Sequence, residues 1–294
     1  MINFTWNNHH ETPLKLRTFL MEKGVTRTLL KKVKFNGGQL LVNQEPQFTN
    51  FMLQQGDKVT MILPPEQQNE VLNISNEPLD ILFENQNYLI INKPVNVATV
   101  PSHIYPNDTI VNRVLGYYLK KDYPSKVVHV VNRLDRGTSG PVIFAKNSLA
   151  HAALDKEFKQ RRIKKGYVAG LVGRIPLKHA SIVLPIGRKP DSFIERAIVK
   201  DGKYSNTEFW TMKTTSTNSL VKISLHTGRT HQIRVHFAAI GYPLVGDWLY
   251  GTETAEIKHQ ALHCFELEFW DQLDEMTIKV EAPIPPYFAD IIKK

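Results

Sequence analysis

Apolar residues in the first part of the chain recur at three- and four-residue spacing, which predicts two amphipathic helices. Leu16, Phe19 and Leu20 mark the first helix, and apolar positions within 29–33 mark the second. The pair that begins with Gly37 predicts the end of the second helix. We therefore expect two short helices that bury one face each.

A hairpin is predicted after these helices, with strands at 39–42 and 58–63 and a turn at 43–46. The following stretch, from Pro64 to Pro78, is rich in Pro, Gln, Asn and Glu and has little apolar periodicity. We therefore predict a small module at 1–64, a linker at 65–79 and a second domain at 80–294.

The second domain combines a few helical segments with many short strand-like ones. A helix with an apolar stripe is expected after Asp108, which can cap it, and another helix is expected to start at Ser148. The strand-like segments are 81–83, 88–91, 141–146, 167–172, 197–199, 209–212, 220–225 and 266–269. This order predicts an α+β fold with a mainly antiparallel mixed sheet flanked by helices.

Composition narrows the class of protein. At 294 residues with 42% apolar content, the chain can form its own core, and the single Cys264 excludes an internal disulfide and every Cys-x-x-Cys motif. No apolar run has the roughly 20 residues needed to span a bilayer. We expect a soluble, monomeric protein of the cytoplasm that has no membrane partner.

Positive charge is concentrated in the N-terminal module. The chain carries a net charge of +9, and between Pro13 and Leu63 eight Lys or Arg residues oppose three acidic ones. This excess favours a polyanionic partner, either through phosphate contacts or only as a solvated helix face. The candidate contact residues on the second helix are Arg27, Lys31, Lys32 and Lys34. Six further cations cluster at 156–165, Arg161 among them, and are a second candidate phosphate surface.

One carboxylate, Asp135, lies between Arg133 and Arg136 and is followed by Gly-Thr-Ser-Gly. Neighbouring guanidinium groups favour an ionised carboxylate, and the glycines allow a sharp turn that brings N–H and hydroxyl donors close. The segment is either built to present Asp135 to a ligand or is an ordinary surface cluster of ion pairs.

The segment 133–140 resembles the catalytic motif of the RluA-type family of RNA pseudouridine synthases, with Asn132 where that family usually has His. Two further blocks carry the resemblance: the Lys-x-Tyr pattern that ends at Tyr167, and residues 227–236. The order of elements in the N-terminal module is similar to that of the small S4-type RNA-binding module. The resemblance to the synthases covers about 80–290.

The resemblance implies roles for individual residues. Asp135 would be the essential carboxylate, acting as a nucleophile toward the sugar or as a base that removes a ribose proton. Arg229 would form an ion pair with Asp135, and Tyr167 would pack against the target base with its hydroxyl placed for proton transfer at C5. Leu262 would line the uracil pocket, and Arg133 would fill the space of the extruded base, clamp a phosphate or support Asp135.

The expected reaction needs neither a cofactor nor a metal, because it exchanges one bond of uracil to the sugar for another without redox change. His226, His231 and His236 recur every five residues, a spacing that spreads side chains around a helix. We therefore expect no metal site there.

The expected partner is RNA, with ribosomal RNA as the first hypothesis and transfer RNA as an alternative. Two other readings remain open at the level of sequence. One is a non-catalytic RNA-binding or ribosome-assembly protein that keeps this fold, and the other is an Asp-dependent hydrolase for a small anionic substrate.

Overall fold

The computed structural model describes residues 1–67, 72–160, 162–251, 253–254 and 256–293. Part of the predicted linker, 68–71, and the candidate cation Arg161 lie outside the described residues.

The N-terminal module contains two helices and six strands among the described residues. They are β1 (Asn3–Asn7), β2 (Leu14–Lys15), α1 (Leu16–Glu22), α2 (Arg27–Phe35), β3 (Gln39–Val42), β4 (Glu45–Pro46), β5 (Met52–Leu53) and β6 (Lys58–Ile62). Both predicted helices are confirmed. The side chain of Thr26 caps α2 by accepting a hydrogen bond from Leu29 N at 3.2 Å, and Leu29, Leu30 and Val33 are buried as the periodicity requires.

The predicted hairpin was partly wrong. Strands β3 and β6 pair antiparallel, but the chain turns back immediately after β3 at Asn43 and Gln44, whose φ angles are 50° and 73°. This left-handed pair forms a tight turn that joins β3 to β4, while β6 pairs with the other edge of β3. The sequence analysis also missed β1, which pairs with β6.

The second domain continues with β7 (Ile81–Glu84), β8 (Tyr88–Lys93), α3 (Ile110–Lys120), β9 (His129–Val130), β10 (Gly140–Ala145), α4 (Ser148–Lys159), β11 (Lys164–Val172), β12 (His179–Val183), β13 (Ile186–Arg188), β14 (Arg196–Ile198), β15 (Asn206–Thr214), β16 (Asn218–Leu225), α5 (Gln232–Ala239), β17 (Leu262–Asp271), β18 (Met276–Glu281) and α6 (Tyr287–Ile291).

Two antiparallel sheets organise this domain, in the strand orders β7-β8-β10-β9 and β12-β15-β16-β11-β17-β18. They share an apolar core that includes Leu89, Phe144, Tyr167, Phe209 and Phe237. The α+β, mainly antiparallel fold is thus confirmed. Strands β12 and β18 at the edges of the large sheet were not predicted.

The N-cap of α3 differs from the prediction. Thr109, not Asp108, is the cap, and it forms a reciprocal capping box with Asn112. Asp108 has a φ of 52° and pairs with Arg113 at 2.8 Å. Asp108 thus lies one residue before the cap, and its carboxylate binds a side chain of the helix and not the free backbone N–H groups.

The N-terminal module packs against the second domain through α4. Leu149 of α4 is fully buried within the apolar cluster of the module. Gln272 Nε2 donates to Glu22 O at 2.6 Å, and Lys23 pairs with Glu275 at 3.2 Å. The described part of the connecting segment also contacts the second domain, since Glu66 binds His129 Nε2 at 2.9 Å.

In the part of the chain that the structure describes, no helix combines the length and apolar character required to cross a membrane.

Candidate active site

An open cleft of about 1830 Å³ runs between the loop before β10 and the face of the large sheet. Asp135, Tyr167, Leu262 and Arg229 all line it, so the fold brings together residues that lie up to 127 positions apart in sequence. Arg133 lies on the same cleft and is exposed. The other four candidates of the second domain are less exposed: Asp135 and Arg229 are partly buried, and Tyr167 and Leu262 are buried.

The segment that leads into Asp135 is fixed by two buried polar side chains, Asn132 and Thr99. Asn132 Oδ1 accepts a hydrogen bond from Ile143 N at 2.7 Å. Thr99 Oγ1 donates to Leu134 O at 2.8 Å, which holds the residue immediately before Asp135. Asn132 therefore has a structural task at the position where the RluA-type family usually has His.

The Gly-Thr-Ser-Gly run anchors the loop to β17 and does not aim its hydroxyls at Asp135. Ser139 Oγ lies 2.8 Å from His263 Nδ1, and Gln260 Nε2 donates to Thr138 Oγ1 at 3.0 Å. Gly140 has a φ of 122°, and a Cβ there would collide with the carbonyl oxygen of Cys264. The expectation that these hydroxyls serve the carboxylate was wrong.

The ion pair of Asp135 is made by Arg234 and not by the predicted Arg229. Arg234 Nη1 lies 3.4 Å from Asp135 Oδ2, and its other nitrogens bind Asp247 at 2.8 and 2.7 Å. Arg229 precedes α5, and its Nε donates to Tyr204 O at 3.1 Å. Because α5 starts at Gln232, Arg234 falls in the first turn and faces the core, whereas Arg229 stays on the loop.

Arg234 is a buried charge that both carboxylates stabilise. Its side chain is 4% exposed, against 33% for Asp135 and 0% for Asp247. Burial opposes its charge, but the hydrogen bonds and negative charge of Asp247, with the charge of Asp135, raise the pKa of Arg234 above its usual value. The guanidinium therefore remains a fixed positive group beside Asp135.

The two arginines that flank Asp135 in sequence do not contact its carboxylate among the described contacts. The Arg136 guanidinium lies over the ring of Tyr105 at 4.6 Å, and Arg133 is exposed. The sequence predicted that these two arginines would supply the positive charge next to Asp135. In the structure Arg234, which is remote in sequence, supplies it.

Tyr167 lies on β11 beside the cleft, and its side chain is almost fully buried. Cys264 faces it on the neighbouring strand β17, and the Cys264 thiol donates to Glu266 O at 3.4 Å. Burial, together with the nearby Cys264 and Asp135, holds the pKa of Tyr167 well above its usual value, so the phenol is neutral. Leu262, two residues from Cys264, is 4% exposed and lines the same cleft.

Gly170 of β11 leaves room for α6. A Cβ at this position would lie 2.7 Å from Ile291 Cδ1 and 3.3 Å from Ala261 Cβ. The space that a side chain at position 170 would need is thus occupied by Ile291 of α6.

Lys93, at the end of β8, is a fully buried lysine close to Asp135. Its Nζ donates to the carbonyls of Pro94, Val97 and Arg136 at 2.8, 2.8 and 3.1 Å. Burial lowers the pKa of Lys93 to about 7, although the charge of Asp135 opposes this effect. The side-chain nitrogen of Lys93 therefore ties the loop after β8 to the loop of Asp135.

The three regularly spaced histidines have three separate environments. His226 pairs with Glu208 at 2.9 Å, His231 Nδ1 lies 2.8 Å from the hydroxyl of Tyr250, and His236 Nε2 lies 3.0 Å from Leu184 O. Across the described ranges, no cluster of three or more His, Cys, Asp or Glu side chains is arranged to hold a metal ion.

Sequence reasoning missed Arg234, Asp247 and Lys93. A signal existed for Arg234, because it stands between the apolar residues Ile233 and Val235. A charge in such a position requires a buried partner. The sequence did not indicate which carboxylate that partner would be.

Comparison with known proteins identifies the family. The family model for RNA pseudouridylate synthases matches residues 87–239. The uncharacterized RNA pseudouridine synthase YjbO of Bacillus subtilis is 38% identical over 280 residues, which cover 95% of this chain and 99% of that protein. Ribosomal large subunit pseudouridine synthase D of Nitrosomonas europaea is 30% identical over 247 residues, covering 81% of this chain and 71% of that protein.

A solved structure supports the same family. Human RNA pseudouridylate synthase domain containing 1 superposes with a TM-score of 0.61 at 27% identity and covers 74% of this chain and 87% of that one. The chain therefore belongs to the RNA pseudouridine synthases, as its resemblance to the RluA-type family predicted. Enzymes of this family are isomerases that act on RNA.

Proposed function

We propose that this protein isomerises specific uridines of large-subunit ribosomal RNA to pseudouridine, with Asp135 as the essential carboxylate. The observation that carries the assignment of Asp135 is its position: a half-buried carboxylate in the cleft, with Oδ2 facing the buried guanidinium of Arg234. The ribosomal substrate is supported by relatives named ribosomal large subunit pseudouridine synthase D in Nitrosomonas europaea and Neisseria meningitidis.

The reaction breaks the N1–C1′ bond, turns the uracil and forms a C5–C1′ bond, so one N–glycosidic bond is exchanged for a C–glycosidic one. C5 loses its proton and N1, freed from the sugar, gains one, so no atoms are added. Asp135 acts either by attacking the sugar or by removing a ribose proton, and in both cases it must be ionised. Arg234 fixes the direction of the carboxylate.

Tyr167 and Leu262 supply the apolar wall against which the uracil would pack. Because a uridine in a helix is unreachable, it must be extruded, at a cost of a few kcal/mol that stacking offsets. Arg133, exposed on the cleft, is placed to fill the vacated stack or to bind a phosphate. The neutral Tyr167 phenol would be the group for proton transfer at C5.

Basic side chains border the cleft where an RNA backbone would pass. Lys159, Lys164, Lys165 and Lys222 line it, although Lys159 and Lys164 are partly neutralised by Asp155 and Glu268. We further propose that the exposed cations of α2 extend this surface in an S4-like module. A monomer in the cytoplasm remains our proposal, and the buried Cys264 suits a reducing compartment.

Pseudouridine mapping of ribosomal and transfer RNA tests this proposal, with matched strains that carry wild-type protein, Asp135→Asn protein or none. We expect the same ribosomal sites to be lost in both defective strains. Losses confined to transfer RNA would move the substrate to that class. Sites that survive in all strains would favour a non-catalytic RNA-binding role.

A binding measurement separates catalysis from recognition. Purified Asp135→Asn protein should bind the substrate RNA within about threefold of wild type, because the carboxylate contributes no phosphate contact. Asp122→Asn is a matched control, since Asp122 is an exposed aspartate that pairs with Lys126 away from the cleft, and it should keep turnover. Loss of RNA binding in Asp135→Asn alone would show that this residue supports the fold or the docking surface.

A further inference from the structure

A side chain outside the residues assigned above also faces Asp135. His231 Nε2 lies 3.8 Å from Asp135 Oδ2, the same oxygen that Arg234 approaches. On the other side of the ring, His231 Nδ1 lies 2.8 Å from the hydroxyl of Tyr250. The imidazole thus stands between a phenol and the proposed catalytic carboxylate.

The hydrogen bonds of Tyr250 decide which nitrogen of His231 carries the proton. Arg196 N donates to the Tyr250 hydroxyl oxygen at 2.8 Å, which leaves the O–H of Tyr250 to be donated to His231 Nδ1. If Nδ1 donated instead, the phenol O–H would need a further acceptor. The neutral tautomer with hydrogen on Nε2 therefore fits the chain, and this hydrogen faces Asp135.

The surroundings favour a neutral ring. Burial lowers the pKa of His231, and the nearby positive charges of Arg234 and Arg196 act in the same direction. The negative charges of Asp135 and Asp247 oppose this shift without cancelling it. Tyr250 also covers Arg234, with 4.9 Å between the ring centroid and the guanidinium carbon, so one phenol contacts both neighbours of Asp135.

The backbone of His231 has a left-handed conformation, which few residues other than glycine adopt. It is the N-cap of α5 but has a φ of 58°, and its side chain makes no capping hydrogen bond. Asn or Gly would adopt this left-handed conformation at lower cost. Strain of this kind persists where the side chain is needed, and it clusters at functional sites.

We propose that His231, with its tautomer set by Tyr250, is a positioning residue that holds Asp135 Oδ2 together with Arg234 and leaves Oδ1 for the ribose. This inference rests on the proposed function, because the proposed function assigns Asp135 as the catalytic carboxylate. At 3.8 Å the contact is longer than a hydrogen bond, and it closes when substrate fills the cleft. The chain of contacts runs from the backbone of β14 through Tyr250 and His231 to Asp135.

Three substitutions test the role of the side chain. His231→Asn relieves the backbone strain but is too short to reach Asp135, so we expect unchanged or higher thermal stability with kcat roughly 10- to 100-fold lower and KM for RNA within twofold. His231→Gln restores a donor near the position of Nε2 and should recover part of kcat. Tyr250→Phe keeps the ring over Arg234 but removes the hydroxyl, and should lower kcat without changing KM.

Nitrogen NMR gives a readout that does not depend on turnover. In protein with ¹⁵N-labelled histidine, the signals absent from His231→Asn belong to His231, and at neutral pH they should show a bare Nδ1 and a protonated Nε2. Tyr250→Phe should convert them to a mixture of tautomers. Matched controls are His179→Asn and Tyr242→Phe, which should leave kcat and these signals unchanged.

The outcomes separate the two proposals. Wild-type protein that modifies no RNA would refute the proposed function but not the tautomer assignment. An active wild type with His231→Asn of unchanged kcat, or a protonated Nδ1 in the wild type, would overturn the inference.

Discussion

At the scale of single residues, the site depends on charges that the fold removes from water. Arg234 is buried between Asp135 and Asp247, and Lys93 is buried beneath the loop of Asp135. Neither buried group lacks hydrogen-bond partners: Arg234 has two carboxylates, and the Lys93 nitrogen has three carbonyl oxygens. Asp135 is thereby held in place from two directions.

Lys93 gives a pH-dependent prediction. Its pKa in the folded protein is about 7, below its ordinary value, so between pH 7 and about 10 the unfolded chain binds a proton that the folded protein does not. The free energy of unfolding should therefore rise with pH in this window through Lys93. In Lys93→Met this contribution disappears, and urea titrations at pH 7 and 9.5 should show a smaller increase than in wild type.

The exposed Lys120→Met is the matched control and should keep the wild-type increase. Lys93→Met should also lower kcat, because the carbonyls of Pro94, Val97 and Arg136 lose their common donor. Equal pH dependence in Lys93→Met and wild type would contradict a lowered pKa for Lys93.

At the scale of elements, the junction between the Asp135 loop and β17 leaves no space for a side chain at Gly140. The residue combines a φ of 122° with a close approach to the backbone of Cys264. We expect Gly140→Ala to lower the free energy of unfolding by more than about 3 kcal/mol, since backbone strain adds to a clash that no rotamer relieves. Denaturant unfolding measures this loss.

The variant Gly56→Ala separates the cost of the left-handed backbone from the cost of the clash. Gly56 has a φ of 87°, but nothing lies within 4 Å of a Cβ at that position. This variant should lose only about 1 kcal/mol, the cost of the left-handed conformation alone. Similar losses in the two variants would mean that the contact with Cys264 contributes little.

The second element with a testable surface is α2. Arg27, Lys31 and Lys34 are spaced by four and three residues along one exposed side, opposite the buried Leu29, Leu30 and Val33. No ion-pair partner for them occurs among the described residues. Their free charges fit the phosphate contacts proposed for this module.

Replacement of Lys31, Lys32 and Lys34 by Gln should weaken RNA binding and flatten its salt dependence. If each lysine contacts one phosphate of a single strand, the slope of log affinity against log salt should fall by about 2. The control removes three exposed lysines elsewhere, Lys120, Lys121 and Lys178, and should keep the slope. Equal slopes in both triple variants would identify α2 as a solvated helix face.

At the scale of the whole molecule, the N-terminal module shares its core with the second domain. Leu149 of α4 completes the apolar cluster that α1 and α2 form with β3 and β6. The linker at 65–79 predicted a module separate from the second domain. In the structure, the module packs against α4 of that domain. This packing fixes the direction in which the cations of α2 face.

Leu149→Ala should reduce the free energy of unfolding by about 2–5 kcal/mol, the range for deleting a fully buried leucine. Denaturant unfolding followed by circular dichroism measures the change. Leu177→Ala is the matched control, because Leu177 is 53% exposed, and it should change stability by less than about 0.5 kcal/mol. Equal stability of the two variants would mean that the module does not depend on α4.

Local sequence patterns determined much of the secondary structure and the fold class of this protein. The helices α1, α2 and α4, most central strands and the antiparallel fold class follow from apolar periodicity and from the Gly and Pro positions, because these act over a few residues. Short edge strands such as β1 and β12 escaped prediction, since pairing partners far along the chain stabilise them. The motif around Asp135 likewise identified the proposed catalytic loop.

Only the tertiary structure decided which groups meet. Arg229 and Arg234 lie five residues apart in one motif, and the start of α5 sends Arg234 inward to Asp135 and leaves Arg229 on a loop. The chain of Arg196, Tyr250 and His231 joins three separate segments. Ion pairs and hydrogen bonds depend on distances of a few ångströms, and the packing of remote elements sets these distances, which no local pattern in the sequence records.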